Sequence, residues 1–414
     1  MPTELNQGFL RVFVIERSRL VPIENAAVTI VYEDDVMAEP REFLTNSSGQ
    51  TPDIALPAPP LSYSETPDEP KPYSDYTITV TKEGFEETIV TGSEILPGEI
   101  SIQVVQMSRL SEPVEAPIII NIPEHTLYGT FPPKIPEAEI KPLPESGEIV
   151  LSSVVIPEYI IVHDGVPSDA SAPNYYVRYT DYIKNVASCE IYATWEDATI
   201  LANILVIMSF TLNRVYTEWY RGQGYNFTIT SSTAYDQKWV YGRNIFENIS
   251  YLVDQVFNNY LARPGITQPI FTTYCDGKRV TCNGLSQWGS KFLGDEGYSA
   301  IEIIRNYYGQ DMYIATATQV SGVPSSFPGY DLTIGASGDN VRTIQRQLNR
   351  IARDYPAIPT VNVDGIYGPR TAESVRIYQK IFGLPQTGVV DFATWYSISR
   401  IYVGVTRLSE PGAF

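Results

Sequence analysis

The chain has 414 residues, enough for two to four domains with separate cores, and its 43% hydrophobic and 12% aromatic content requires most of it to fold. A formal charge of −19 argues against nucleic acid as a partner, but residues 1–150 carry −16 of it and the remaining 264 only −3. An acidic front third and a nearly neutral rear are expected to do different work, and only the rear can approach an anionic polymer without repulsion.

The opening MPTELNQGFLRVFVIERSR lacks a basic start followed by an apolar core, so no export signal is read there. Residues 8–108 alternate in the strand manner at Phe9, Val12 and Val14, then Ala27, Val28, Ile30 and Tyr32, then 76–80, 88–90 and 100–105. Turns rich in Asn, Ser, Gly and Pro separate them, which predicts a small all-β sandwich over 1–111. The order of strand, TNSSGQT turn and Pro-rich loop resembles the carboxypeptidase-regulatory or transthyretin-like sandwich. The segment carries no catalytic pattern, and an accessory or chaperoning module is expected.

Residues 112–153 hold eight prolines, Pro113, Pro117, Pro123, Pro132, Pro133, Pro136, Pro142 and Pro144, with interspersed Glu. Such a segment cannot donate a regular ladder, so it either runs extended over a surface or hangs free as a protease-sensitive linker.

The middle, 154–325, mixes helices and short strands. Its segment 182–190, YIKNVASCE, places Glu190 at the end of a short amphipathic stretch and against the apolar run 199–220. Desolvation disfavours the charged form of a carboxyl so placed. A carboxyl protonated near neutral pH is what a glycosidic bond needs as a general acid. The most apolar part, 202–212, is too short to span a bilayer and contains Ser209 and Thr211, so a buried helix is expected and no membrane span. Three cysteines, Cys189, Cys275 and Cys282, exclude a disulfide-built fold. Cys275 and Cys282 form either two free thiols or one short-loop disulfide. His125 and His163 are remote from that loop, and a zinc site normally has four ligands, so no metal and no other cofactor is expected.

Over 326–414 the apolar positions Val341, Ile344, Leu348 and Ile351 follow helical spacing. After a VDGIYG turn, Pro369 and Thr371 start a second helix carrying Ala372, Val375, Tyr378 and Phe382, which Gly383 ends. Asp391 caps a third with Phe392, Trp395 and Ile398 inward. The stretches GASGDNVRTIQRQLNRI, VDGIYGPRTAESVRIYQ and GLPQTGVVDFATW resemble a three-helix peptidoglycan-binding domain.

The middle also resembles a known family, the SpoIID/LytB-type catalytic domain. The residues that carry the likeness are the ASCE segment with its Trp, DQKWVYG, SQWGSKFLGDEG and IEIIRNYYG. With the flanking parts, the order resembles clostridial-type spore cortex-lytic enzymes in precursor form, a multidomain α+β architecture. The resemblance implies a lytic transglycosylase on spore cortex peptidoglycan, with Glu190 as the catalytic acid. It implies removal of the front third near Ser153–Val154 by a subtilisin-like germination protease, and synthesis in the mother cell with deposition at the spore cortex and coat. Tyr274, Asp276, Ser286, Gln287 and Trp288 are candidates for saccharide contacts. Glu196 and Asp197 keep a two-carboxylate muramidase open, and a non-catalytic wall-binding protein is the second reading. A zinc amidase is weakest, since two histidines leave too few ligands. The chain departs from the family at Asn203 and Met208, where a Gln and an Arg are usual; Arg214 or Arg243 are the candidates to replace that Arg. Whether the front third blocks the cleft or assists folding stays open.

Overall fold

The computed structural model describes residues 6–17, 20–35, 37–67, 70–110, 116–142, 153–322 and 327–406. The expected boundaries at 111–112 and 325–326, and the end of the proline-rich stretch at 143–152, lie outside these residues.

The front part is two five-stranded sheets face to face. In one, Ile100–Met107 lies between Ile245–Phe246 and Gln7–Glu16, and the latter also pairs Val21–Pro22 and Ile54–Pro57. In the other the order is Arg41–Leu44, Ala27–Tyr32, Ser74–Thr81, Thr88–Ile95 and Ile118–Asn121. Alternate side chains of a strand point to opposite faces, so Leu10, Val12 and Val14 turn inward together and meet Val28, Ile30, Ile78, Val80 and Val105. One strand of this sandwich was not expected there: Ile245–Phe246 comes from the middle of the chain. Gly242, at φ +71°, makes the turn that admits it, a conformation open to glycine at little cost.

The middle is built on helices α1 (Tyr179–Glu190), α2 (Asp197–Tyr216), α3 (Glu247–Val256), α4 (Gln287–Asp295) and α5 (Ala300–Tyr308). A sheet of Asn174–Arg178, Tyr159–His163 and Ile229–Thr230 and several two-stranded ladders flank them. Among the described helices α2 is long and apolar enough to cross a membrane, but 83% of its most apolar window is buried in the body. It is apolar all round because other elements surround it. Its polar side chains find partners across the body: Asn203 Nδ2 donates to Ser290 Oγ at 2.9 Å, Ser209 Oγ to the Ile270 carbonyl at 2.8 Å, and Asn213 Nδ2 to the Pro269 carbonyl at 2.7 Å, while Asn213 Oδ1 is buried without one. Met208 is fully buried.

The rear is a bundle of α6 (Asp339–Ile351), α7 (Pro369–Ile381) and α8 (Phe392–Thr406) around Val341, Ile344, Leu348, Val375, Tyr378, Trp395 and Ile398. Asp391 Oδ1 accepts the Thr394 N–H at 2.8 Å, the capping bond its position predicts. Phe392, expected inward, is only half-buried and stacks on Phe257 after α3, ring centroids 5.3 Å apart. It faces the middle body because α8 packs against α3.

Trp395 is wholly enclosed in that bundle. Trp395→Ala is expected to lower the unfolding free energy of the rear domain by about 3–5 kcal/mol, against under ~0.5 kcal/mol for exposed Lys380→Ala. Urea unfolding followed by circular dichroism would read the difference.

Candidate active site

Glu190 is the last residue of α1 and is 4% exposed. It comes to rest there because α1 buries Tyr182, Ile183, Val186 and Ala187, which sets the helix end against the middle core. The chain then turns extended at Ile191. Its Oε1 accepts the Lys238 backbone N–H at 2.9 Å and the Tyr274 hydroxyl at 3.3 Å. Gln287 Nε2 donates to the Glu190 backbone carbonyl at 2.8 Å and lies 3.3 Å from Oε2. Three elements remote in sequence thus converge on one carboxyl: the DQKWVYG turn, the strand Tyr274–Cys275 and the first residue of α4. Burial, and next the neighbouring Glu190, push the Tyr274 phenol far up, so it stays a hydroxyl that can donate.

A second layer fixes these groups. Gln237, next to Lys238, donates to the Ile207 carbonyl at 3.1 Å, and its Oε1 accepts Thr211 at 2.9 Å and the Tyr182 hydroxyl at 3.2 Å. Asp236 is fully buried and accepts from Arg214 Nε at 2.7 Å, the Tyr220 hydroxyl at 2.6 Å and Thr230 Oγ1 at 2.7 Å. Arg214 and Arg243, the two candidates for a substrate-binding Arg, are both committed elsewhere. Arg214 pairs with Asp236 and Glu137; Arg243 pairs with Glu94 of the sandwich.

The remaining saccharide candidates have structural duties. Asp276 accepts three backbone N–H groups, of Lys278, Arg279 and Val280, and so shapes its own loop. Ser286 caps α4 by accepting the Gly289 N–H at 2.9 Å. Trp288 is 2% exposed and packed against Trp195 and Tyr192, so its ring faces are covered and no sugar can stack on them. Glu196 and Asp197 are exposed at the start of α2, where carboxylates suit the helix dipole.

The residues that sequence reasoning missed come from the proline-rich stretch. Of the two courses open to it, the part within 116–142 takes the surface-hugging one and crosses Glu190. Thr126 Oγ1 donates to the Cys189 carbonyl at 2.7 Å and lies 3.3 Å from Glu190 Oε2. Lys134 Nζ donates to the Asp236 carbonyl and sits 4.5 Å from the Tyr274 ring centroid. Burial pushes its ammonium down, partly offset by Glu190 and Asp236. The strap is anchored along its length. Arg279 Nη1 donates to the Leu127 and Gly129 carbonyls, both at 3.0 Å, and the Ile135 N–H to the Ala234 carbonyl at 2.7 Å. Glu137 takes both Arg214 Nη groups, and Lys141 lies 3.6 Å from the Phe271 ring centroid. Prolines gave no spacing signal for this, since an extended segment has no side-chain period that names its partner.

Residues 337–398, within the rear bundle, match the peptidoglycan binding domain family. That domain makes peptidoglycan a partner of the chain and relates the protein to the cell wall. Similar solved structures include the SleB N-terminal domain, 30% identical over 19% of this chain and 99% of that chain with a TM-score of 0.17. They also include 3-chlorocatechol 1,2-dioxygenase from Rhodococcus opacus 1CP, 11% identical over 27% of this chain and 63% of that chain, TM-score 0.19. A third is Klebsiella pneumoniae 5-hydroxyisourate hydrolase, 15% identical over 25% and 99%, TM-score 0.16. No curated protein matches the chain.

The cysteine alternatives left open above resolve into a Cys275–Cys282 disulfide closing the Asp276–Arg279 loop, with Cys189 buried and free. Burial pushes the Cys189 thiol up to about 12. An alkylating reagent at pH 8 is expected to leave the folded protein unlabelled, add one label on unfolding, and add three after unfolding with reduction. Intact-protein mass spectrometry reads the count.

Proposed function

We propose that the chain is the precursor of a lytic transglycosylase of the SleC type, acting on spore cortex peptidoglycan, whose activation requires a subtilisin-like protease to cut ahead of the middle domain. The observation that carries this reading is the setting of Glu190: a buried carboxyl held by Lys238 N–H, Tyr274 and Gln287, and crossed by a strap from the front of the chain. The peptidoglycan-binding domain supplies the polymer to such a carboxyl.

In this reading Glu190 gives its proton to the oxygen joining muramic acid C1 to glucosamine. The C1–O bond breaks and positive charge develops on the muramic ring. The C6 hydroxyl of the same sugar attacks C1, and its proton passes to the Glu190 carboxylate. The product is a 1,6-anhydro end, and Glu190 regains its starting form without a water.

The strap gives the precursor reading its physical content. Thr126 and Lys134 stand where a glycan would have to reach Glu190, so an uncut chain meets substrate with its cleft covered. The proposed cut lies near Ser153–Val154. Val154 is buried, and Val155–Ile156 already pairs with Gln319–Val320. A protease needs accessible extended backbone, so the bond lies no further along the chain than this.

A protein beginning at Val154 is expected to release anhydro-muramic ends from purified cortex, detected by mass spectrometry of the soluble fragments. Glu190→Gln abolishes release while cortex binding persists. Reducing muramic ends would overturn the transglycosylase in favour of a muramidase. Absence of fragments from both proteins would leave the non-catalytic wall-binding reading. In the uncut chain, Lys134→Ala is expected to raise the residual rate about tenfold, the equivalent of ~1.4 kcal/mol of lost strap binding.

A further inference from the structure

We infer that cutting near 153–154 does not release the front third: residues 6–142 stay bound as a non-covalent subunit whose strap still covers Glu190. Clearing the cleft is then a second event, separate from proteolysis. The inference rests on the precursor reading for its biological sense, though its central test does not.

Among the described residues, the contacts that hold the sandwich to the middle lie away from the cut. Ile245–Phe246 of the middle is a strand of the sandwich itself, paired antiparallel with Ile100–Met107 in the register Ile245 to Ile102 and Phe246 to Ser101. Beside it Arg243 makes a two-pronged pair with Glu94, Nη2 to Oε2 at 2.5 Å and Nη1 to Oε1 at 3.1 Å, both side chains 1% exposed. Asn244 brackets the same residue: its Nδ2 donates to the Glu94 carbonyl at 3.0 Å and to Ser101 Oγ at 2.7 Å, and its Oδ1 accepts the Glu94 N–H at 3.2 Å. Gln103 Nε2 donates to the Gly242 carbonyl at 2.8 Å. Separating the parts would break all of these bonds and leave the Glu94 carboxylate and the Arg243 guanidinium, which keeps only the Ser188 carbonyl, to be rehydrated.

The hold extends beyond that strand. Trp195 Nε1, in the turn after α1, donates to the Ser64 carbonyl at 2.9 Å, and Lys291 of α4 pairs with Glu65 at 2.6 Å. Tyr73, Leu96 and Leu127 of the front belong to the same buried cluster as Tyr192, Trp195 and Trp288. The interface therefore has an apolar core with buried, satisfied polar pairs, the composition of a lasting association.

The strap leaves the sandwich at Ile118–Asn121, which pairs with Thr88–Ile95. A cut beyond residue 142 frees its far end and leaves its near end fastened. Its effective concentration over Glu190 stays high while the sandwich remains bound.

The test is a full-length protein with a specific protease recognition sequence inserted between residues 142 and 153, cut to completion. At roughly micromolar concentration the two pieces are expected to co-elute on size exclusion and to appear as one 1:1 complex in native mass spectrometry. Elution as two separate pieces would overturn the inference. Glu94→Ala removes the carboxylate facing Arg243, and its cut pieces are expected to separate. If the variant fails to fold, as judged by circular dichroism before cutting, Gln103→Ala tests the same seam with a smaller loss. Co-elution undiminished in both would overturn the seam as the clasp. Activity on cortex is read in parallel: the cut complex is expected to stay at least tenfold below the isolated piece beginning at Val154. A cut complex as active as that piece would overturn the covering of Glu190. An isolated piece that is folded by circular dichroism yet inactive would instead sink the transglycosylase reading and leave the co-elution result standing.

Discussion

Arg243 is the point on which both halves of the molecule turn. One face of its guanidinium is spent on Glu94 in the sandwich; Nε and Nη2 also donate to the Ser188 carbonyl, at 3.0 and 2.7 Å, two residues before Glu190 in α1. A buried ion pair is seldom a large net source of stability, but a broken one is costly, because the survivor keeps its charge without solvent. The pair therefore acts as a fastener. It ties the end of the helix that bears the carboxyl to the strand Thr88–Ile95 of one sheet, and Ile245–Phe246, just beyond Arg243, joins the facing sheet beside Ile100–Met107.

The strap follows a related logic. With six prolines among residues 116–142 it has fewer N–H groups to satisfy and less entropy to lose on ordering, so it can lie extended on another surface at modest cost. What keeps it in place is side-chain chemistry from the body: Arg279, Arg214 and Phe271 answer its carbonyls, its Glu137 and its Lys141. The acidic residues that make the front third look repellent to an anionic wall are in part used inward, as Glu137, Glu139 and Glu94 all face arginines. Charge counted along the chain and charge offered to solvent are different quantities.

Short-range patterns were readable where a local rule decides the outcome. Strand alternation at Val12 and Val14, the helical spacing of Val341–Ile344–Leu348, the capping role of Asp391 and the buried nature of α2 all follow from periods of two and 3.6 and from the needs of chain ends; Phe9, read with the first pair, falls on the opposite face, where Leu10 takes the inward place. Glu190 was legible as a carboxyl destined for burial, because the apolar run follows within a few residues, but the polar groups that line it, Lys238 N–H, Tyr274, Gln287 and Thr126, were not. Trp288 was misjudged as a possible stacking platform. An aromatic beside a polar loop has no local mark that tells a wall of the core from a floor of the cleft.

The sequence by itself determined the kinds of part: a β-sandwich, a proline-rich extension, a carboxyl on an amphipathic helix, and a wall-binding bundle. Each is dictated by neighbours within one or two turns of chain. Only the tertiary structure decided that the extension crosses Glu190, that Tyr274 and Gln287 grip the carboxyl directly, that Cys275 joins Cys282, and that the sandwich takes a strand from the middle domain. Apart from the disulfide, which spans seven positions, those outcomes depend on contacts between residues separated by 60 to 150 positions, such as Thr126 with Glu190 and Glu94 with Arg243. Their strength comes from burial and geometry in the assembled fold, and neither has a signature in the order of residues along the chain.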